Sequence, residues 1–491
     1  MSVFRYRFVM LSVRLLPAVA AGLLAAGCAT NSIDAPLAVL SKPDGLISED
    51  KESELGRREH PKIVSAFGGD YHDEQLQAGL EELVNRLTRV SERPDLRYRV
   101  TVLNSPTVNA FALPGGFVYV TRGLLALAND EDELAAVLSH EIGHVTARHA
   151  AKRQSEAIKA VFVGRVASIL DKPESGDGIK DSDNLLASFS RRQELEADQI
   201  GVETSVKAGF DPFAAASFLE AMARDTNYRQ SQFGREPDAH RPNLQASHPT
   251  TPERIGQVRR LAREFGFAPG ERRRQKRSYL TLIDGMLYGD DPRGGYVRGH
   301  TFLHPRLRIA FTVPASYTLH NTSDAVFAIG PDDTALRFDG IELPETQNLN
   351  DYVRSVWGNG AAVNAVHVLD GAQPGVIASA RFDGWDYRLA AVRVSPREVY
   401  RFLLARRTID EESQRIFSDI VASLRRLDDA EAKRLRPLRL RMIEVQPGDT
   451  VAGLARRMIV PDEAESQFRL LNGLSSTDQL RAGDRVKIIA D

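Results

Sequence analysis

Residues 140–144 read His-Glu-Ile-Gly-His. Two histidines four apart share one side of the chain if it is helical, since four residues at roughly 3.6 per turn leave them about 40° apart. The surroundings support a helix from about Glu131 to Arg153: Leu134, Val137 and Leu138 supply an apolar face, and Asp130 is a candidate N-cap. On such a helix His140 and His144 can reach a single ion. Glu141 flanks the pair, placed to take a proton from an attacking water and return it to a leaving amine. Gly143 costs about 1 kcal/mol relative to alanine in a helix interior, which asks for a reason such as close approach by substrate or metal. The competing account is an amphipathic helix with two satisfied surface histidines.

A catalytic zinc site needs a third protein ligand and an open fourth position. The segment Ser190-Arg191-Arg192-Gln193-Glu194-Leu195-Glu196-Ala197-Asp198 offers one, because Glu194 and Asp198 lie four apart on a predicted helix and Glu196 points elsewhere. His149, nine residues from His140, faces roughly the opposite side of its helix and is not assigned to the metal.

His-Glu-x-x-His followed by Glu-x-x-Ala-Asp resembles the gluzincin metallopeptidase family that contains the CAAX prenyl endopeptidases and the HtpX-type proteases. The resemblance implies one zinc ion per chain held by His140, His144 and Glu194, with Asp198 orienting a ligating histidine and Glu141 as general base. Asn109 to Gly116 also matches the family, and the strand after it, Phe117, Val118, Tyr119 and Val120, is expected to present an edge to an extended peptide substrate. A further match is Ser247-His248-Pro249 followed by Glu253-Arg254-Ile255. His248 would either polarise the scissile carbonyl or cap the zinc at rest; the plain alternative is a turn before a helix capped by Thr250 or Thr251. The resemblance covers residues 59 to 265. Membrane members of the family carry long spanning helices, whereas Ala157 to Leu170 is interrupted by Lys159 and Arg165.

At 491 residues the chain exceeds one ordinary core, so several domains are expected. With 64 Lys plus Arg against 66 Asp plus Glu, there is no global field to favour nucleic acid, and none is expected as a partner. Residues 1–27 carry Arg5, Arg7 and Arg14 before an apolar run, the layout of a secretion signal. The sole cysteine, Cys28, follows Leu24-Ala25-Ala26-Gly27, which resembles a lipoprotein lipobox and implies a lipid on Cys28. Ala29 rather than Asp after it resembles outer-membrane sorting in a Gram-negative bacterium. A lipid-anchored periplasmic protein of the cell envelope is expected.

Residues 28–58 read as a tether and 59–290 as the metallopeptidase domain, interrupted by polar segments at 172–184 and 225–246, the second a candidate lid. Residues 297–427 alternate like short strands and faintly resemble the PsbP and Mog type. Residues 428–441 read as a linker. Residues 442–491 run strand, helix, helix, strand, with Gly448 and Asp449 expected to cap a helix and Gly483 to turn before the last strand. This tail resembles a LysM domain, which implies peptidoglycan as a partner. The expected fold is multidomain α+β: a mainly helical zincin-type domain, a strand-rich α+β module and a small LysM-like βααβ domain. The expected activity is zinc-dependent hydrolysis of peptide bonds in misfolded or misassembled envelope proteins. The alternative is a peptidoglycan-attached scaffold or assembly chaperone with a structural metal.

Overall fold

The computed structural model describes residues 48–152, 189–233, 248–357, 362–369, 374–460 and 463–491, apart from Arg273 and Gln275. The signal segment, Cys28, the stretch 157–170, the polar segment 172–184, residues 234–246 of the candidate lid and Ser247 lie outside the described residues. The expected tether gives way to structure sooner than residue 58. Ser48 caps helix α1 (Glu49–Ala66), accepting from the Lys51 N–H.

Helix α2 (Glu74–Thr88) is capped by Asp73 and buries Leu76, Leu80, Leu83, Val84 and Leu87, the spacing of a one-sided amphipathic helix. Strands β1 (Arg99–Leu103), β2 (Ala110–Leu113) and β3 (Phe117–Thr121) form a sheet in the order β1-β3-β2. The β2–β3 hairpin turns through Gly115 and Gly116, both with φ near +85°. A side chain on Gly115 would also meet the Ser53 backbone of α1 at 2.6 Å. Thr121 closes β3 and caps α3 (Arg122–Leu127), after which Asp130 caps α4 (Glu131–Thr146), as its position suggested. Every residue of α4 from Asp132 to Thr146 is buried, so this helix runs through the middle of the domain. Against it pack α5 (Arg191–Lys207) and α6 (Ala214–Phe233), on which α7 (Pro252–Glu264) rests in turn, followed by α8 (Lys276–Leu282). Among the described residues no helix is long and apolar enough to cross a membrane.

The strand-rich module holds two antiparallel sheets. One contains β4 (Tyr296–Arg298), β5 (Thr301–His304) and β6 (Ile309–Thr312), to which the later two-residue strand Arg425–Arg426 adds. The other contains β7 (Thr318–Asn321), β8 (Val326–Ile329), β9 (Ala335–Glu342), β10 (Ala362–Val368), β11 (Gly375–Phe382), β12 (Trp385–Arg393) and β13 (Glu398–Arg406), in the order β10-β11-β12-β13-β9-β8-β7. Helix α9 (Glu411–Ala422) seals the core with Phe417, Ile420 and Val421 against Phe311, Phe338 and Phe402.

The C-terminal segment has the expected βααβ order: β14 (Arg439–Glu444), α10 (Val451–Ala455), α11 (Ala464–Leu471) and β15 (Arg485–Ala490), the two strands antiparallel. Gly448 and Gly483 take positive φ at the turns, but the N-cap of α10 is Thr450; Asp449 instead accepts from the Gln446 N–H. Residues 428–441 are not a free linker. They contain a helical turn (Asp429–Arg434), and Leu438 and Leu440 exchange backbone hydrogen bonds with Gly285, Met286 and Tyr288. Val451, Leu454, Phe468, Leu471 and Ile488 belong to the same buried cluster as Leu80, Leu124, Ile142 and Met222, so the tail and the helices around α4 share one core.

Lys487 marks that junction. It is fully buried, and its ammonium group donates to the carbonyls of Ala126 at 2.7 Å and Ala128 at 2.8 Å, at the end of α3. Burial pulls its pKa down to about 7, with attraction from Glu133 working the other way. The whole is a multidomain α+β fold.

Candidate metal centre

One turn apart on α4, His140 and His144 bring their Nε2 atoms to 3.0 Å. Helix α5 presents Glu194 from its first turn, with Oε2 at 3.6 Å from His140 Nε2 and Oε1 at 3.5 Å from His144 Nε2. This convergence depends on glycines. A Cβ on Gly143 would stand 3.0 Å from the Ala197 carbonyl oxygen, and one on Gly201 would stand 3.0 Å from the His140 nitrogen. The close approach that Gly143 serves is therefore to helix α5, not to substrate or metal. From the segment before α7, His248 adds Nδ1 at 2.9 Å from Glu194 Oε1 and 3.3 Å from His140 Nε2.

His140, His144, Glu194 and His248 each offer a ligand atom, all within 4.8 Å of one another, and all four residues are buried. Tetrahedral zinc with bonds of about 2.0 Å separates its ligand atoms by about 3.3 Å, so these donors are spaced to hold such an ion. Residues 74–262 match the model of Peptidase family M48.

These residues form an M48 peptidase domain.

Residues 443–488 match the LysM domain. The chain is 33% identical over 218 residues to mitochondrial metalloendopeptidase OMA1 of Schizosaccharomyces pombe, covering 43% of this chain and 61% of that protein. It is 31% identical over 205 residues to the beta-barrel assembly-enhancing protease of Yersinia pestis, covering 40% of each. With the protein of that name from Escherichia coli strain K12 it shares 28% identity over 220 residues, covering 40% of this chain and 43% of the other. The chain thus spans less than two thirds of the length of these relatives. Among solved structures, cyanobacterial PsbP (CyanoP) of Synechocystis sp. PCC 6803 covers 27% of the chain at TM-score 0.21 and 13% identity, too slight a likeness to assign the strand-rich module.

Within the M48 domain a second set of groups holds the donors. Asp198, one turn after Glu194, brings Oδ1 to 2.9 Å from His140 Nδ1, the nitrogen facing away from the donor cluster. Arg254, buried in the first turn of α7, grips both Asp198 oxygens at 2.7 and 2.8 Å and reaches Glu194 Oε2 at 2.9 Å. Nothing in the residue type of Arg254 marks it as a site residue. The available signal was its place one turn into a helix capped by Thr251, six residues after His248. Burial would raise Asp198, but Arg254 and His140 overcome it and hold the carboxyl below its ordinary value. Burial likewise would raise Glu194, and His248 and His140 hold it far below the usual carboxylate range. Burial opposes charge on His140, yet Asp198 and Glu194 lift it to about 9, while burial and the neighbouring imidazoles push His144 well down. Replacing Arg254 by Leu would leave two buried carboxylates without their cation, and we expect a loss of about 3–5 kcal/mol, read from chemical denaturation.

Glu141 stands beside the donors rather than among them. Burial raises its pKa, its Oε1 has no hydrogen-bond partner among the described residues, and that atom lies 3.7 Å from His248 Nε2. Next to His140 and Glu141 opens a cavity whose walls include Val137, Phe218, Leu219 and Met222, an apolar recess at the site.

Two expectations are corrected. Phe117, Val118, Tyr119 and Val120 lie in β3, the central strand, hydrogen-bonded on both sides and buried. They cannot offer an edge; β2, an outer strand that packs against α4, has that place. Helix α4 also stops at Thr146 rather than running to Arg153. Arg148 takes a left-handed φ of 55°, and His149 turns back beside His144 instead of facing away.

Proposed function

We propose that the chain is a zinc metalloendopeptidase of the bacterial cell envelope, with His140, His144 and Glu194 as ligands and Glu141 as general base. The observation that carries the reading is the buried four-donor cluster with the Glu141 carboxylate beside it, one oxygen of which makes no hydrogen bond among the described residues. Bound there, zinc supplies Lewis acidity toward water and the scissile carbonyl. Glu141, beside the donors, would accept the proton of the attacking water and deliver it to the leaving amine. Asp198 Oδ1, 2.9 Å from His140 Nδ1, favours the hydrogen on that nitrogen and so leaves Nε2 free for a metal, and Arg254 holds both carboxylates in place. His248 would serve either as a further donor to a bound metal or as the group that polarises the scissile carbonyl. An extended peptide pairs with β2 and sets an apolar side chain into the recess beside His140.

Misfolded or misassembled envelope proteins are the proposed substrates. The names of the relatives, a beta-barrel assembly-enhancing protease among them, support that class. A lipid on Cys28 would tether the chain to the outer membrane after removal of residues 1–27. The LysM domain would reach peptidoglycan through loops Gln446–Thr450 and Ser475–Asp484, which are mostly exposed. Residues 59–290 are the catalytic part in this reading.

One observation favours the alternative of a scaffold with a structural metal: four protein donors make a closed set, which structural zinc sites prefer. Casein hydrolysis by residues 29–491 separates the two. We expect hydrolysis that a chelator stops and added zinc restores; a chain that binds zinc but leaves casein intact favours the scaffold.

A further inference from the structure

We propose that His149 is a positioning residue of the metal centre, fixing His144 in the tautomer that can ligate, and that Glu196 fixes His149 in turn. The inference rests on the reading of His144 Nε2 as a metal ligand. His149 Nδ1 lies 2.9 Å from His144 Nδ1, with the rings nearly perpendicular at 72°. Two ring nitrogens at that distance need one hydrogen between them, and a neutral imidazole carries a single N–H and a single lone pair. Only one assignment serves a ligating His144. Its Nε2, facing His140 and Glu194, must keep the lone pair, so its hydrogen sits on Nδ1 and is donated to His149 Nδ1. His149 then carries its own hydrogen on Nε2; Glu196 Oε2 stands 3.4 Å from that atom, not hydrogen-bonded to it but near enough to favour its N–H electrostatically. The reverse polarity would place an N–H of His144 among the other donors, where a metal could not bind.

The backbone is built to deliver this contact. Arg148 adopts the left-handed conformation that turns the chain back after α4, and its guanidinium is held at 2.9 Å by Glu52, a buried carboxylate of α1. His149 is fully buried, so bulk water cannot substitute for its ring. The two histidines of the pair are therefore oriented differently: His140 by a carboxylate, Asp198, and His144 by a neutral imidazole with a carboxylate behind it.

The test is zinc affinity of the full mature chain, by competition with a chromophoric chelator, together with the visible spectrum of the cobalt form. His149→Phe should weaken zinc binding by about 10–100-fold and shift the cobalt bands. His149→Gln, whose side-chain carbonyl can accept the same hydrogen, should stay within about threefold of wild type. Glu196 is half exposed, so its variants keep the fold even if His149→Phe does not. Glu196→Lys places a donor against His149 Nε2, reverses the polarity of the chain, and should cost about tenfold in affinity, whereas Glu196→Gln retains an acceptor and should cost little. Wild-type affinity and spectrum in both His149→Phe and Glu196→Lys would overturn the positioning role alone. A wild-type chain that takes up no zinc would overturn the metal reading itself, and this inference with it.

Discussion

Replacing Glu141 by Gln should lower casein hydrolysis by about 10²–10⁴-fold while zinc content stays at the wild-type level, because general base catalysis contributes roughly that factor. The substitution keeps size and shape but removes basicity. Glu141 does not belong to the donor cluster and its Oε1 makes no hydrogen bond among the described residues, so the exchange keeps the ligand set and removes only the charge that faces His248 Nε2 at 3.7 Å. Loss of zinc along with activity would mean that Glu141 supports the site mechanically. Equal rates for the two proteins would remove it from the chemistry.

The second large effect concerns the C-terminal tail. Deleting residues 442–491 should not release a free M48 domain but an aggregating chain, since the tail completes the hydrophobic core around Leu124 and Met222. A gentler probe is Lys487→Met. It leaves the Ala126 and Ala128 carbonyls without their donor in a buried place, and should cost about 2–4 kcal/mol in the unfolding free energy. Those carbonyls lie just before Asp130, the cap of helix α4, so the loss should be read in the thermal midpoint of the whole chain as a single shifted transition. An unchanged midpoint, or a soluble folded truncation, would show that the tail is an independent appendage. Glycan binding is for the same reason better probed by substitutions in the exposed loops than by deletion.

The convergence of the candidate donors was legible because its signals are local. Four-residue spacing on a helix needs no knowledge of the rest of the fold, which is why His140, His144, Glu194 and Asp198 fall where helical geometry puts them. What the sequence did not disclose depends on distant partners or on a chain reversal. Strand β3 was expected at an edge because pairing is non-local, and β1, fourteen or more residues upstream, fills its other side. His149 was turned away by extrapolating a helix that stops at Thr146, and the left-handed Arg148 leaves no signature in residue type. Arg254 was overlooked because its carboxylate partner Asp198 lies 56 residues earlier. The tail was expected to stand apart, yet four successive residues of β15, Val486 to Ile489, are buried, a pattern of burial on both faces that a free two-stranded module would not show.

The central claim is that side chains of two helices, α4 and α5, converge on one divalent cation. An anomalous difference map collected at the zinc absorption edge tests it most directly. The account predicts a single strong peak about 2.0–2.2 Å from His140 Nε2, His144 Nε2 and a Glu194 oxygen. A peak elsewhere in the chain, or one at His140 and His144 with Glu194 out of reach, would contradict it.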